Sequence, residues 1–402
     1  MTTYSSIAAA ALIAPFAFAA GQNPPPAAPP PTEVSSSAGT IRIERLATLE
    51  SPWGIAALPD GRVLVTEKPG RLRIWANGAL SEPVQGTPTV VHLKTQGEQG
   101  GLMDVAVDPD FARNGYIYLS FSEAAEVQSP DLAETPDNRF GDFIDLTDNV
   151  LRGGAVARAK LTGNRLTELQ VIWRQVPKTI GRGHFGNRLM FGPDGKLYIT
   201  SGDRMRFDPA QSALSNLGKV VRINGDGSIP VDNPLNAKPN TRGDIYSLGH
   251  RNILAATFDG AGRLWVFEMG PLGGDEMNLV QPGRNYGWPI VSNGDNYAGP
   301  SIPDHPTKPE FQAPVRTWTP VIAPSGALHY TGAMFQPWRG SIIVGGLSSQ
   351  SLIRLVMDGE RVGTEERIYM GRRMRDVIQL ADGSLLAIVD DKRGDLLRLS
   401  IR

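Results

Sequence analysis

The chain is predicted to be all-β and to fold as a six-bladed β-propeller. Two observations carry this: a strand–turn–strand unit recurs along the chain, and long helical periodicity is nearly absent. The first unit is "LPDGRVLVTEKPGRLRIW" (Leu58 to Trp75). An Asp-Gly turn opens it, apolar residues then alternate, and a Pro-Gly turn reverses the chain into a second alternation. Period two is the mark of a strand with one buried face. Asp-Gly and Asn-Gly pairs tolerate the positive φ of tight hairpins. Variants follow in "VDPDFARNGYIYLSF", "FGPDGKLYITSGDR", "FDGAGRLWVFEMG", "WRGSIIVGGLSSQSLIRLVMDG" and "LADGSLLAIVDDKRGDLLRLSI". A spacing of roughly 60 residues suits one antiparallel sheet per repeat. Radial packing of such sheets removes long exposed edges. "IRIERLAT" near the start is expected to close the ring against "LLRLSIR" at the end. A β-sandwich pair or a solenoid is the competing architecture; even spacing without linkers favours the propeller.

The N-terminus stands apart. "IAAAALIAPFAFAA" (Ile7 to Ala20) is a short apolar run, and Ala17-Phe18-Ala19 fits a small-x-small cleavage pattern, although no Lys or Arg precedes it. Residues 1–20 resemble a secretory signal peptide, which places the protein in the periplasm or outside the cell. Residues 21–40, rich in Pro, Ala and Ser, are expected to be an extended, disordered tether. The folded domain is then 41–402. No later stretch is apolar for long enough to cross a bilayer. With 40 basic and 41 acidic residues the chain has no charge excess to attract nucleic acid. It has no cysteine, which excludes disulfides, thiolate metal sites and a thiol nucleophile.

A propeller gathers loops from every blade around one mouth of its channel, so five glycine-rich loops attract attention. The first, "TQGEQGGLMDVAVDPDF", holds Gln99 between glycines. In the second, "GRGHFGNRLMFGPDGKLYITSGDR", His184 precedes a strand and Asp203 follows the next one. If both reach one rim, Asp203 can fix the imidazole tautomer and leave the other nitrogen as a base. A structural histidine is the plainer alternative. The third, "IYSLGHRNILAATFD", carries Arg251 and Asn252; a guanidinium suits carboxylates or developing oxyanions. The fourth, "FEMGPLGGDEMNLVQPGRNYGWP", offers backbone carbonyls and the Asp275-Glu276 pair, oxygen ligands that suit Ca²⁺. The fifth, "GRRMRDV", puts Arg373 and Arg375 on one strand face, fit for a polycarboxylate or merely solvated.

In this order the five loops resemble the soluble pyrroloquinoline quinone (PQQ)-dependent sugar dehydrogenases, the glucose/sorbosone dehydrogenase family, and within it the bacterial aldose sugar dehydrogenases. The resemblance spans essentially Ile41 to Ile401. It rests on "SPWGIAALPDGRVLVTEKPGRLRIW", "GEQGGLMDVAVDPDF", "GHFGNRLMFGPDG", "LGHRN" and "GPLGGDEMNLVQPGRNYGWP" taken together. It implies PQQ and Ca²⁺ as cofactors, a sugar as substrate and a separate electron acceptor, with the protein a monomer or homodimer. It implies His184 as the general base toward the C1 hydroxyl, Asp203 orienting it, and Gln99 and Arg251 near the quinone oxygens. Asn252 would contact PQQ, Arg373 and Arg375 would meet its carboxylates, and the Gly270 and Pro271 carbonyls would hold the cofactor-bound Ca²⁺. Glu276 and Tyr286 resemble a second, structural Ca²⁺ site.

Two positions depart from the family pattern. Ser348 stands where relatives usually have a PQQ-contacting lysine, so one cation is missing unless a neighbour compensates. Met269 replaces a residue that is often polar. Two other functions stay open: a calcium-dependent lactonase or other hydrolase with His184 activating water, and a propeller binding module without turnover. The loop from Ser122 to Val150 is expected to shape the mouth.

Overall fold

A computed structural model of the chain describes residues 31–95, 97–128, 150–297 and 299–401. The predicted signal peptide and most of the 122–150 loop lie outside these residues. The described chain forms six antiparallel sheets. Five have four strands each and take in residues 52–80, 102–174, 186–248, 253–318 and 324–369 in turn; they are blades one to five. Blade six has five strands, in the order Glu33–Ser36, Gly39–Glu50, Arg393–Ile401, Leu385–Val389 and Met374–Gln379. Its innermost three strands come from the C-terminus and its outer two from the N-terminus. Gly39–Glu50 pairs with Arg393–Ile401 from Ile41 opposite Ile401 to Glu50 opposite Arg393, the closure the sequence predicts.

One expectation needs correction. The tether does not extend to residue 40: the compact unit starts at Pro31, and Glu33–Ser36 already pairs with Gly39–Arg42 as an edge hairpin. The stretch "EVSSSAG" looks like linker because Ser and Gly favour turns, but tertiary anchors hold it. Ser37 donates through its N–H and its hydroxyl to the Glu366 carboxylate at 2.5 Å each, and it accepts from Trp338 Nε1 at 3.1 Å.

The core is divided among the blade interfaces. Alternation buries one set of side chains on each face, and six apolar clusters each join two neighbouring sheets. Leu64, Leu72, Val105 and Leu119 join blades one and two, for example, and Ile55, Val65, Leu386 and Ile388 join blades six and one. The innermost strands, Pro52–Ala57, Leu102–Val107, Gly186–Phe191, Ile253–Phe258, Pro324–His329 and Met374–Gln379, neighbour one another around a closed ring. Among the described residues no helix is long and apolar enough to cross a membrane.

Every innermost strand shifts register against its partner near its first residues: between Pro52 and Ile55, Leu102 and Val105, Gly186 and Leu189, Ile253 and Ala255, Ser325 and Ala327, and Met374 and Asp376. A bulge turns side chains out of the pleat toward the axis. There, Arg188 of blade three bridges the channel. Its guanidinium meets Asp376 at 2.9 Å and Asp104 at 3.3 Å, and donates to the carbonyls of Leu254 at 2.7 Å and Arg375 at 2.9 Å. It also lies 4.2 Å from the centre of the Trp53 ring. The close packing needs Gly326, whose φ is +65° and where a Cβ would fall 2.3 Å from the Asp376 carboxylate. The clamp separates two axial cavities. One, of about 530 Å³, contains Asp104, Arg188 and Asp376 in its wall. The other, of about 460 Å³, has Trp53, Met103, Leu254 and Arg375 in its floor and faces the predicted loops.

Candidate active site

The loops after the second strands of blades one, four, five and six reach the 460 Å³ cavity, and Glu98, Gln99, Arg373 and Arg375 join them from segments at the start of innermost strands. Lys68 follows Val63–Glu67, Met269 follows Leu264–Glu268, Leu347 and Ser348 follow Ile342–Gly346, and Asp390 follows Leu385–Val389; all of them line it. Arg373 and Arg375 share Asp390: Arg373 Nη2 lies 2.7 Å from Oδ2, and Arg375 Nη2 lies 2.6 Å from Oδ1. Burial alone would push the Asp390 carboxyl up, yet the two guanidinium groups hold it down at about 2. The predicted arginine pair therefore faces the axis. Gln99 lines the same cavity and uses Oε1 to accept the His184 N–H at 2.9 Å.

His184 is held in a left-handed backbone conformation, φ 51°, immediately before Phe185, which lines this cavity. Residue 202 must be glycine here, because a Cβ would lie 2.2 Å from the His184 carbonyl oxygen. His184 Nδ1 donates to Asp203 Oδ1 at 2.7 Å, the contact expected from the sequence. Trp288 Nε1 donates to Asp203 Oδ2 at 2.8 Å, and the Met205 N–H donates to Oδ1 at 3.0 Å. Asp203 is fully buried. Burial pushes its carboxyl up, but His184, Arg251 and the Met205 N–H outweigh that and leave it below the ordinary carboxylate range. Burial, with the charge of Arg251, pushes the His184 imidazole below its ordinary value. The ring is thus neutral at pH 7, with its proton on Nδ1 and a lone pair on Nε2. His184 lines a narrow niche with Met205, Phe207, Arg251, Pro271, Asn296 and Tyr297. An apolar and aromatic wall beside a neutral imidazole is suited to a polyol whose ring stacks while its hydroxyl meets the base.

Arg251 is fixed from several directions. Its N–H donates to Glu268 Oε2 at 2.7 Å, and Nη1 donates to the carbonyls of Met269 at 3.0 Å and Gly270 at 2.9 Å. Its guanidinium lies 5.3 Å from the centre of the Trp288 ring. The predicted cation ligands divide between two places. Gly270, Glu276 and Tyr286 line one small polar cavity of about 10 Å³ together with Glu268, whereas Pro271 lines the His184 niche. Burial pushes the Glu276 carboxyl up, and His305 Nε2 lies 3.4 Å from it. The Tyr286 hydroxyl donates to the Leu279 carbonyl at 2.6 Å. Asn252 is buried and lines neither large cavity; its Oδ1 has no hydrogen-bond partner.

The sequence reading passed over Lys68, Asp390, Trp288 and the axial clamp. The first two each immediately follow the second strand of a repeat, as Met269 does, but that position alone does not say whether a charge faces the axis. The clamp showed only as scattered charges, Asp104, Arg188 and Asp376, one in each of three separate strands.

The model for the family described as "Glucose / Sorbosone dehydrogenase" matches residues 49–398. The chain belongs to this family. Among curated relatives of the glucose/sorbosone dehydrogenases, aldose sugar dehydrogenase YliI of Escherichia coli is 35% identical over 380 residues, which cover 91% of this chain and 95% of that one. Quinoprotein glucose dehydrogenase B of Acinetobacter calcoaceticus is 28% identical over 433 residues, covering 87% and 85%. Among solved structures, the apo form of the soluble E. coli aldose sugar dehydrogenase superposes with a TM-score of 0.78 at 34% identity, covering 90% of this chain and all of that one. The six-bladed ring is thus shared with solved members of the family.

Proposed function

We propose that the protein oxidises an aldose at C1 to its lactone, using PQQ and Ca²⁺, as a soluble exported dehydrogenase. The observation that carries this is a neutral His184, braced by Asp203 and immediately before Phe185, which lines a cavity walled by more cations than carboxylates. The volume of about 460 Å³ falls in the ordinary range for small-molecule sites. A planar molecule with three carboxylates fits such a wall. Arg373 and Arg375 would hold its carboxylates, with Gln99 and Arg251 at the end nearest His184. The Gly270 and Pro271 carbonyls supply hard oxygen donors for Ca²⁺. The wall therefore fits the quinone, whereas the two carbonyls named for Ca²⁺ line different cavities and that of Gly270 accepts from Arg251.

PQQ, when bound, supplies the acceptor for the hydrogen and electron pair of the sugar C1–H bond. His184 Nε2 takes the proton of the C1 hydroxyl. Asp203 stabilises the imidazolium that results, and Trp288 keeps Asp203 from turning away. Arg251 places a fixed positive charge beside the base, which favours negative charge developing on neighbouring oxygens. Phe207, Tyr297 and Met205 narrow the niche around the sugar. The two electrons taken from the sugar would pass to an acceptor outside this chain and the two protons to solvent, which returns His184 to its neutral form.

Reconstitution tests this. Metal-free, cofactor-free protein is loaded with PQQ and Ca²⁺, and aldoses are added. The oxidised-quinone absorbance is expected to bleach and an artificial dye to be reduced. His184→Ala is expected to lose turnover by on the order of 10²–10⁴-fold while still binding PQQ. Binding of PQQ with no bleaching by any aldose would leave a binding module in place of an enzyme.

A further inference from the structure

The wall of the 460 Å³ cavity carries three cationic side chains, Lys68, Arg373 and Arg375, and their charges are unequally matched. Asp390 serves both arginines at once. Glu98, the other carboxylate in the wall, belongs to Arg152, with which it forms a buried ion pair at 3.0 Å. Lys68 has no carboxylate within ion-pair reach among the described residues. Its ammonium makes one hydrogen bond there, to the Glu98 carbonyl at 2.8 Å. Its backbone is pinned: the Lys68 N–H donates to Ser51 O and the Lys68 carbonyl accepts from Leu102, each at 3.0 Å. The side chain therefore leaves a fixed point at the end of Val63–Glu67 and ends in the cavity. Burial, and then the positive charge of Arg375, makes Lys68 hold its proton less tightly than an ordinary lysine. An anion in the cavity relieves both effects. Across the same cavity Ser348 is exposed and carries no charge.

We infer that Lys68 is the third cation of the cofactor cavity, pairing with a carboxylate of the quinone and replacing, from blade one, the charge that Ser348 does not supply from blade five. This rests on the proposed use of PQQ. Arg373 and Arg375 recognise one side of the polyanion, and Lys68 neutralises a carboxylate that would otherwise be desolvated without a partner.

The test measures binding, not turnover. PQQ is titrated at fixed Ca²⁺ into the cofactor-free full chain, followed by quenching of tryptophan fluorescence, with equilibrium dialysis as the second readout; Trp53 lies in the cavity floor. Lys68→Met is expected to raise Kd by about tenfold or more. Adding Ser348→Lys to Lys68→Met is expected to recover most of that loss. The trimethyl ester of PQQ, which lacks the carboxylate charges, is expected to bind wild type and Lys68→Met alike. Lys68→Gln repeats the test should the methionine variant fold poorly. Equal PQQ affinity in wild type and the variant overturns the inference while leaving the cofactor reading intact. An equal loss for acid and ester overturns it too, because the effect is then one of shape. If wild type itself binds no PQQ, the cofactor reading falls and this inference with it.

Discussion

At the residue scale the group that the proposed reaction turns on is His184, its proposed base. Burial and Arg251 lower its proton affinity, while Asp203 opposes them. A base must be neutral to act, so the acid limb of kcat/KM is expected below the ordinary imidazole value of 6.5. Asp203→Asn removes the opposing charge, so that limb should move to still lower pH as the rate drops by on the order of 10²–10⁴-fold. A pH–rate profile of both proteins checks this; an unmoved limb would mean that another group titrates. Folding is linked to the same shift. The folded value lies below the unfolded one, so the unfolded chain binds the extra proton between them. This contribution to stability is whole above 6.5 and is lost as pH falls through the folded value. The His184–Asp203 contact was legible because glycines flank His184 and the two strands that follow carry the chain back to Asp203. Lys68 and Asp390 were not, because a single charge after a strand looks the same whether it faces solvent or the axis. Asn252 shows the converse: a polar residue beside Arg251 is buried away from both large cavities.

At the scale of the element, the repeated bulge matters most. The same register shift in six inner strands aims Trp53, Met103, Leu254 and Arg375 at the cavity and lets Arg188 reach both Asp104 and Asp376. Period-two alternation predicts the strands but cannot show where a bulge interrupts them, so the floor of the site was hidden. The clamp sets two buried carboxylates against one guanidinium. Burial pushes Asp104 up to about 7, against the pull of Arg188, and raises Asp376 also. The sign follows from proton counting. With the folded value above the unfolded 3.8, the folded chain holds the extra proton, so this contribution is full below 3.8 and is lost as pH rises toward 7. Asp104→Asn is expected to remove that loss. Denaturant melts at pH 5 and pH 8 should show the variant gaining on wild type at the higher pH. Arg188→Met leaves both carboxylates with backbone N–H donors but no cationic partner and is expected to cost about 3–5 kcal/mol. A pH-independent difference for Asp104→Asn would show that the clamp does not titrate in this window.

At the scale of the whole molecule, the repeat period made the ring legible, since each unit carried its own turn and alternation. The start of the fold was less so. Residues 33–40 form a hairpin only because Ser37 finds Glu366 and Trp338 in blade five, contacts more than 300 residues away in sequence. Ring closure then depends on the two chain ends in blade six. Ile41 is fully buried and packs with Leu399, Trp338 and Ile368. A closed propeller leaves only the short outer edge of each blade, and pulling the N-terminal strands away exposes the long edge of Arg393–Ile401 as well. Ile41→Asp puts a carboxylate into that cluster without a partner and is expected to cost more than about 4 kcal/mol. The distinctive sign is where protection is lost. If the N-terminal strands hold the ring shut, amide exchange should rise together in Gly39–Glu50 and in Arg393–Ile401, their hydrogen-bonded partner. Exchange confined to Gly39–Glu50, with Arg393–Ile401 still protected, would mean that the C-terminal strands close the ring alone and that Glu33–Ser36 and Gly39–Glu50 only cover it.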